Sequence, residues 1–132
     1  MRRHVNAHAR TAIGAVLATC LLVLAIPVQA AGDAAAGQAL YQAKCGGCHS
    51  LEANRIGPAH RGVVGRKIAS APGFAYSPAI RKLTGIWTTA RLDQWLQGPQ
   101  KMAPGSKMYL NVPDQTQRAN IIAWLAANPA KR

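Results

Sequence analysis

Five residues constrain this chain more than any others: Cys45-Gly46-Gly47-Cys48-His49. The spacing C-x-x-C-H is the attachment signature of a c-type haem. Each thiol can add to one vinyl group of a porphyrin and form a thioether. The residue that follows must then present an imidazole to the iron. Gly46 and Gly47 leave nothing bulky against the porphyrin edge. The competing readings are a redox disulfide between Cys45 and Cys48, half of a zinc site, or chance. A thioredoxin-like dithiol belongs in a βαβ context, and no such pattern surrounds the motif. A zinc site takes about four ligands, and beyond residue 30 the one other thiol or imidazole is His60.

The 132 residues suffice for one domain. One Phe, three Trp and three Tyr make a thin aromatic inventory for a core, and a buried porphyrin would supply the missing apolar bulk. Sixteen basic residues against four acidic ones give a net charge of +12. Such a charge speaks of partners and solubility rather than of fold. It suits an acidic protein surface, an anionic lipid or a nucleic acid, but no nucleic-acid-binding motif accompanies it.

Residues 1–30 have the layout of a secretory signal peptide. Arg2, Arg3 and Arg10 give a basic start, Thr11 to Ile26 is strongly apolar, and Pro27 breaks the run before the small residues Ala30-Ala31-Gly32. Cleavage is expected after Ala30. The rival is an uncleaved membrane anchor, because the apolar run is close to the minimum for a span. Cys20 lies inside the apolar run and is read as part of the leader. The segment from 31 to 132 is expected to form a single domain of net charge +9, whose only thiols are those of the motif. Export agrees with the motif, since bacteria attach haem covalently outside the cytoplasmic membrane.

Along the rest of the chain, Asp33 can cap a helix over Ala34–Lys44, on which Gly37 and Tyr41 share a face. Ser50–Gly73 lacks any lasting period and reads as loop; wrapping a cofactor is a reason for so long a loop. A short helix is expected from Pro78 to about Leu83. Thr88 or Thr89 can cap another over Ala90–Gln97, with Leu92, Trp95 and Leu96 on its apolar face. Gly98-Pro99 should end it, and Gln100–Asn111 reads as a second loop. Asp114 can cap a final helix whose apolar stripe is Ile121, Ile122, Trp124 and Leu125, stopped by Asn128-Pro129. No strands and no repeats are expected.

Taken together, these motifs resemble class I cytochrome c. They comprise the helix, C-x-x-C-H, Gly57-Pro58, Gly65-Arg66-Lys67, Ala71-Pro72-Gly73-Phe74-Ala75-Tyr76, Trp87 and Pro104-Gly105-Ser106-Lys107-Met108, followed by an amphipathic helix. The resemblance covers nearly all of residues 32–127. It implies an all-α fold, with helices and long loops wrapped around one haem held by Cys45 and Cys48, and with the first and last helices crossing. It implies His49 and Met108 as axial ligands of the iron. It further implies that the Pro58 carbonyl accepts the His49 ring N–H, an outer bond that fixes the tautomer. Arg66, Tyr76 and Trp87 match residues around the haem propionates, and Trp95 lies on the methionine side. Gly37 and Tyr41 match first-helix positions that meet Ile121 and Trp124.

Four positions depart from the family pattern: Ala59-His60 replaces Asn-Leu, Ile80 replaces a common Asn, and Trp95 replaces a Tyr whose hydroxyl points at the ligand sulfur. They are expected to alter the polar network on the methionine side. Met102 is the competing sulfur and matches a non-ligand position. His60 is expected at the surface on the His49 side. Lys101 and Lys107 are expected in a ring that steers acidic partners to the haem edge.

The implied function is that of an exported, periplasmic, monomeric one-electron carrier rather than an enzyme. Its partners would be a quinol–cytochrome c oxidoreductase, a terminal oxidase, or a periplasmic dehydrogenase or peroxidase. The rival function is a haem sensor or peroxidase-like protein with a labile Met108.

Overall fold

The computed structural model describes residues 31–131. The expected leader and its cleavage site at Ala30 lie outside them, as does Arg132. Five helices follow in order: α1 Ala34–Lys44, α2 Pro78–Arg81, α3 Thr89–Gln97, α4 Pro99–Met102 and α5 Gln115–Ala126. Among the described residues there is no strand, only one isolated antiparallel bridge between Lys67 and Ile86. The all-α expectation therefore holds.

The first and last helices cross through a contact that only glycine allows. A Cβ on Gly37 would lie 1.9 Å from the carbonyl oxygen of Asn120 and 3.0 Å from the Trp124 Cβ. One turn later Tyr41 meets Trp124, ring centroids 4.2 Å apart. The cap secures the same junction. The Asp33 carboxylate accepts from the N–H groups of Ala35 and Ala36, which helix geometry leaves without partners. The Asp33 N–H itself donates to the Asn120 side chain at 2.8 Å. Thus one residue starts α1 and ties it to α5. Asp114 caps α5 as expected, accepting from Gln117 N–H at 2.8 Å.

The middle helices differ in detail from expectation. Thr88 caps α3, so the helix begins at Thr89, one residue earlier than expected. Helix α2 ends at Arg81 rather than Leu83, closing with turn bonds from Lys82 and Leu83 to Ala79 and Ile80. Gly98-Pro99 ends α3 but also begins α4, a helical turn where loop was expected. Proline suits the first helical position because its missing N–H would have had no partner there. Pro99 is almost fully buried, so this turn has a fixed base.

The long segment between α1 and α2 is held by backbone bonds rather than by regular structure. Gly57 N–H donates to the Cys48 carbonyl, and the His60 and Arg61 N–H groups donate to Ser50 and Leu51. Asn54 bridges within it, accepting from Ala59 N–H at 2.9 Å and donating to the Pro72 carbonyl at 2.8 Å. Val112, Ile121 and Pro99 are almost fully buried, and Val112 and Ile121 share one apolar core with Trp87, Trp95, Leu96 and Leu125. Arg118 of α5 is also buried, at 6 % exposure. Its guanidinium pairs with Asp93 of α3 at 2.7 Å and donates to the Val112 and Pro113 carbonyls. It joins α3, α5 and the segment that follows Met108.

Candidate haem site

The motif sits where α1 runs out. Cys45 N–H still bonds to the Tyr41 carbonyl, and Cys48 and His49 donate back to Cys45 in tight turns. This brings both thiols and the imidazole onto one wall of a cavity of about 530 Å³, within the size range of small-molecule and cofactor sites. Cys45 is buried, Cys48 is exposed, and both thiols are free. Burial pushes the Cys45 thiol up to about 11. Among the described residues no group of three or more His, Cys, Asp or Glu side chains is placed to hold a metal ion, so the four-ligand zinc arrangement has no counterpart there.

His49 is fixed from two sides. Its Nδ1 lies 2.9 Å from the Pro58 carbonyl oxygen. A carbonyl can only accept, so Nδ1 carries the proton and Nε2 keeps its lone pair. Burial lowers the His49 pKa, which also favours the neutral ring. A Cβ on Gly57 would fall 2.0 Å from the His49 Cε1, so the ring lies directly against the peptide backbone.

His60 corrects the sequence reading. It lies on the His49 side, as expected, but it is packed there instead of standing at the surface. Its ring stacks on that of His49, with centroids 4.0 Å apart and planes 17° apart. Its Nδ1 meets the Tyr41 hydroxyl at 3.1 Å. Burial first, then the neighbouring His49 and Arg66, hold its pKa well below the usual histidine range. Burial likewise raises the Tyr41 phenol above its ordinary value. The missed signal was the Tyr41 hydroxyl, which needs a polar partner once α1 packs against α5.

The methionine side is assembled from separate elements. Trp95 of α3 directs its indole N–H at the Met108 sulfur, 3.2 Å away. The substitution of Trp for the expected Tyr therefore keeps a donor on the sulfur. Trp95 also packs edge-to-face on Trp87, centroids 5.5 Å apart. Ile80 adds an apolar patch to the same cavity, whereas Met102 of α4 does not reach it. Gln100, within the stretch 100–111 that reads as loop, lies on α4 and holds the backbone at Gly105, Ser106 and Met108. No local sequence pattern marks it, because its partners are defined only once α4 exists.

All nine residues singled out from the sequence for the cofactor line this cavity: Cys45, Cys48, His49, Pro58, Arg66, Tyr76, Trp87, Trp95 and Met108. The cavity fits a haem on grounds of its own. Its walls are mainly apolar, and His49 offers a free ring nitrogen into it. Arg66 donates to the Ala59 carbonyl at 2.8 Å, yet its Nε is the one buried side-chain N or O without a partner among the described residues. A carboxylate such as a propionate would satisfy it. Ile56 and Tyr109, both nearly four-fifths exposed, flank the mouth, together with Leu110, Lys44 and Lys107.

Comparison with known proteins agrees. The cytochrome c family profile matches residues 34–128. Cytochrome c2 of Rhodopila globiformis is 41 % identical over 97 residues, covering 71 % of this chain and 92 % of its own. Cytochrome c-type cyt cy of Rhodobacter capsulatus is 40 % identical over 105 residues, 78 % of this chain; the match spans 53 % of that relative, about half its length. Among solved structures, cytochrome cH from Methylobacterium extorquens superposes with a TM-score of 0.70 at 43 % identity, covering 73 % of this chain and 99 % of that one. The chain belongs to the class I cytochromes c, all-α electron carriers with a single covalently attached haem c.

Proposed function

We propose that this chain is an exported, periplasmic one-electron carrier of a respiratory or related chain, with iron held between His49 and Met108. The observation that carries the proposal is the pairing of prepared donors in one cavity. His49 presents a lone pair fixed by Pro58, and Met108 presents a sulfur fixed by Trp95. The haem supplies the one-electron couple. A His/Met pair raises the potential of that couple. The protein residues bind, orient and exclude water: Arg66 would meet the propionates, with Tyr76 and Trp87 beside it. No side chain needs to move a proton or bind a substrate, so no enzyme activity is proposed.

Cys45 and Cys48 would carry the thioethers. Basic residues near the cavity support an acidic partner. Lys44 and Lys107 line the cavity together with exposed Ile56 and Tyr109, and Lys101 on α4 is also exposed. An acidic surface on a quinol–cytochrome c oxidoreductase, a terminal oxidase, or a periplasmic dehydrogenase or peroxidase would complement this positive charge. The protein would act as a monomer. Residues 1–30 would direct export and be cleaved after Ala30; no described helix is long and apolar enough to cross a membrane.

The test is redox titration and electron exchange with an acidic partner domain. A reversible one-electron couple, with an exchange rate that falls as salt rises, is the expected outcome. Irreversible oxidation, or turnover of peroxide by the folded protein without loss of Met108 ligation, would contradict it. The mass of the periplasmic protein tests the leader: a chain beginning at Ala31 is expected.

A further inference from the structure

We propose that Gln100 is a positioning residue that latches the Met108 segment over the haem and so sets how readily another ligand replaces the thioether. The inference rests on the reading of Met108 as an iron ligand. Little else holds that segment. Among the described residues, no backbone N–H or C=O of residues 107–111 takes part in a backbone–backbone hydrogen bond. Regular pairing stops at Ser106, whose N–H reaches Ala103, and resumes at Val112, whose N–H reaches Leu96. Within the gap, the one hydrogen bond to the main chain comes from Gln100.

Its amide is used at both ends. Nε2 donates to the Ser106 carbonyl at 2.7 Å, the Ser106 hydroxyl at 2.9 Å and the Met108 carbonyl at 2.8 Å. Oε1 accepts the Gly105 N–H at 3.2 Å. Two protons shared among three acceptors form a fork that spans the residues leading into Met108. Gln100 is itself well anchored: it follows buried Pro99, and α4 is closed by bonds from Lys101 and Met102 to Gly98 and from Ala103 to Pro99. The turn it grips contains Gly105 at φ +85°, a conformation open mainly to glycine. That turn has a defined shape for the fork to recognise. Trp95 meets the sulfur, while Gln100 holds the backbone that carries it. Losing the latch would leave the main chain of the segment attached only at residues 106 and 112, with the Trp95 N–H on the sulfur as its remaining side-chain tie, so that Met108 swings away more readily.

A competing ligand reports this opening, because it binds only the fraction of protein whose methionine has left, and its apparent affinity scales with that fraction. The experiment is imidazole titration of the ferric holoprotein, followed by loss of the weak long-wavelength methionine–ferric band. It is run for wild type, Gln100→Ala and Gln100→Glu, with Gln97→Ala as a surface control. The glutamate keeps the length and the acceptor for Gly105 but, ionised, donates nothing, so it serves even where the alanine variant folds poorly. Wild type is expected to show the band, and both Gln100 variants to bind imidazole about tenfold more tightly or better, the worth of one or two net hydrogen bonds. Denaturation midpoints measured in parallel separate a latch from a general loss of stability. A band in wild type with imidazole affinities equal within about twofold across all four proteins would overturn the latch and leave the ligation intact. A wild-type protein without the band would overturn the ligation, and the latch with it.

Discussion

The two sides of the cavity are built in different ways. The His49 side comes from one stretch of chain, residues 41–60, and is fixed by backbone: Gly57 against the imidazole, the Pro58 carbonyl on Nδ1, and turns that link the two cysteines. The Met108 side is gathered from α3, α4 and α5, and is fixed by long side chains: Trp95 on the sulfur, Gln100 on the segment, Arg118 on the carbonyls beyond it. Backbone contacts over short separations tolerate little change. Side-chain contacts over long separations can be altered one at a time. The difference implies an invariant His49 geometry and an adjustable Met108 side.

The largest expected effect lies on the rigid side. Gly57→Ala would drive a methyl group into the His49 ring, which lies 2.0 Å from the ideal Cβ. A cost of about 3 kcal/mol or more is expected, read as loss of holoprotein yield and of denaturation midpoint. A variant that matures and unfolds like wild type would show that the His49 wall yields after all. Next comes Arg118→Ala, which strips a buried cation from Asp93 and the donors from two carbonyls. Asp93 is partly exposed, which moderates the loss, so roughly 2–3 kcal/mol is expected in chemical denaturation. A loss under about half a kcal/mol would mean that the staple contributes no more than a surface ion pair.

His60 gives a pH test of the rigid side. Its pKa is lowered in the folded protein, so the unfolded chain binds the proton more readily. The stability that depends on a neutral His60 is therefore fully present above the unfolded histidine pKa of about 6.5 and is lost as pH falls below it. The slope is bounded by one proton, about 1.4 kcal/mol per pH unit. His60→Leu should flatten the decline between about pH 7 and 5, measured as urea midpoints. An unchanged slope would assign the acid sensitivity elsewhere. The smallest effect is expected from Trp95→Phe. Removing the indole N–H returns electron density to the Met108 sulfur and favours ferric iron. The potential should drop by roughly 20–60 mV, the worth of one net hydrogen bond. An unchanged or higher potential would show that the N–H does not act on the ligand.

The same contrast governs what could be read in the sequence. Cys45, Cys48, His49 and Pro58 form a contiguous pattern whose chemistry is local, and α1 and α5 carry their own caps and apolar faces. The shared face of Gly37 and Tyr41 is legible in the sequence as the side of α1 that meets the last helix. Residues 98–103 were not legible: Gly98-Pro99 ends one helix and opens another, and the dipeptide alone does not distinguish stop from restart. Gln100 and Arg118 have no local signature, since a polar side chain takes its role from whatever the fold brings to it. A histidine in a loop on the His49 side reads as a surface residue, but the Tyr41 hydroxyl and the His49 ring draw His60 inward.

The central claim is that the two sides meet on one iron, through His49 and Met108. The visible spectrum of the ferric holoprotein, wild type beside Met108→Ala, tests it most directly. A weak long-wavelength methionine–ferric band in wild type and its absence in the variant are expected. A band that survives in Met108→Ala, or is absent from both, would contradict the claim.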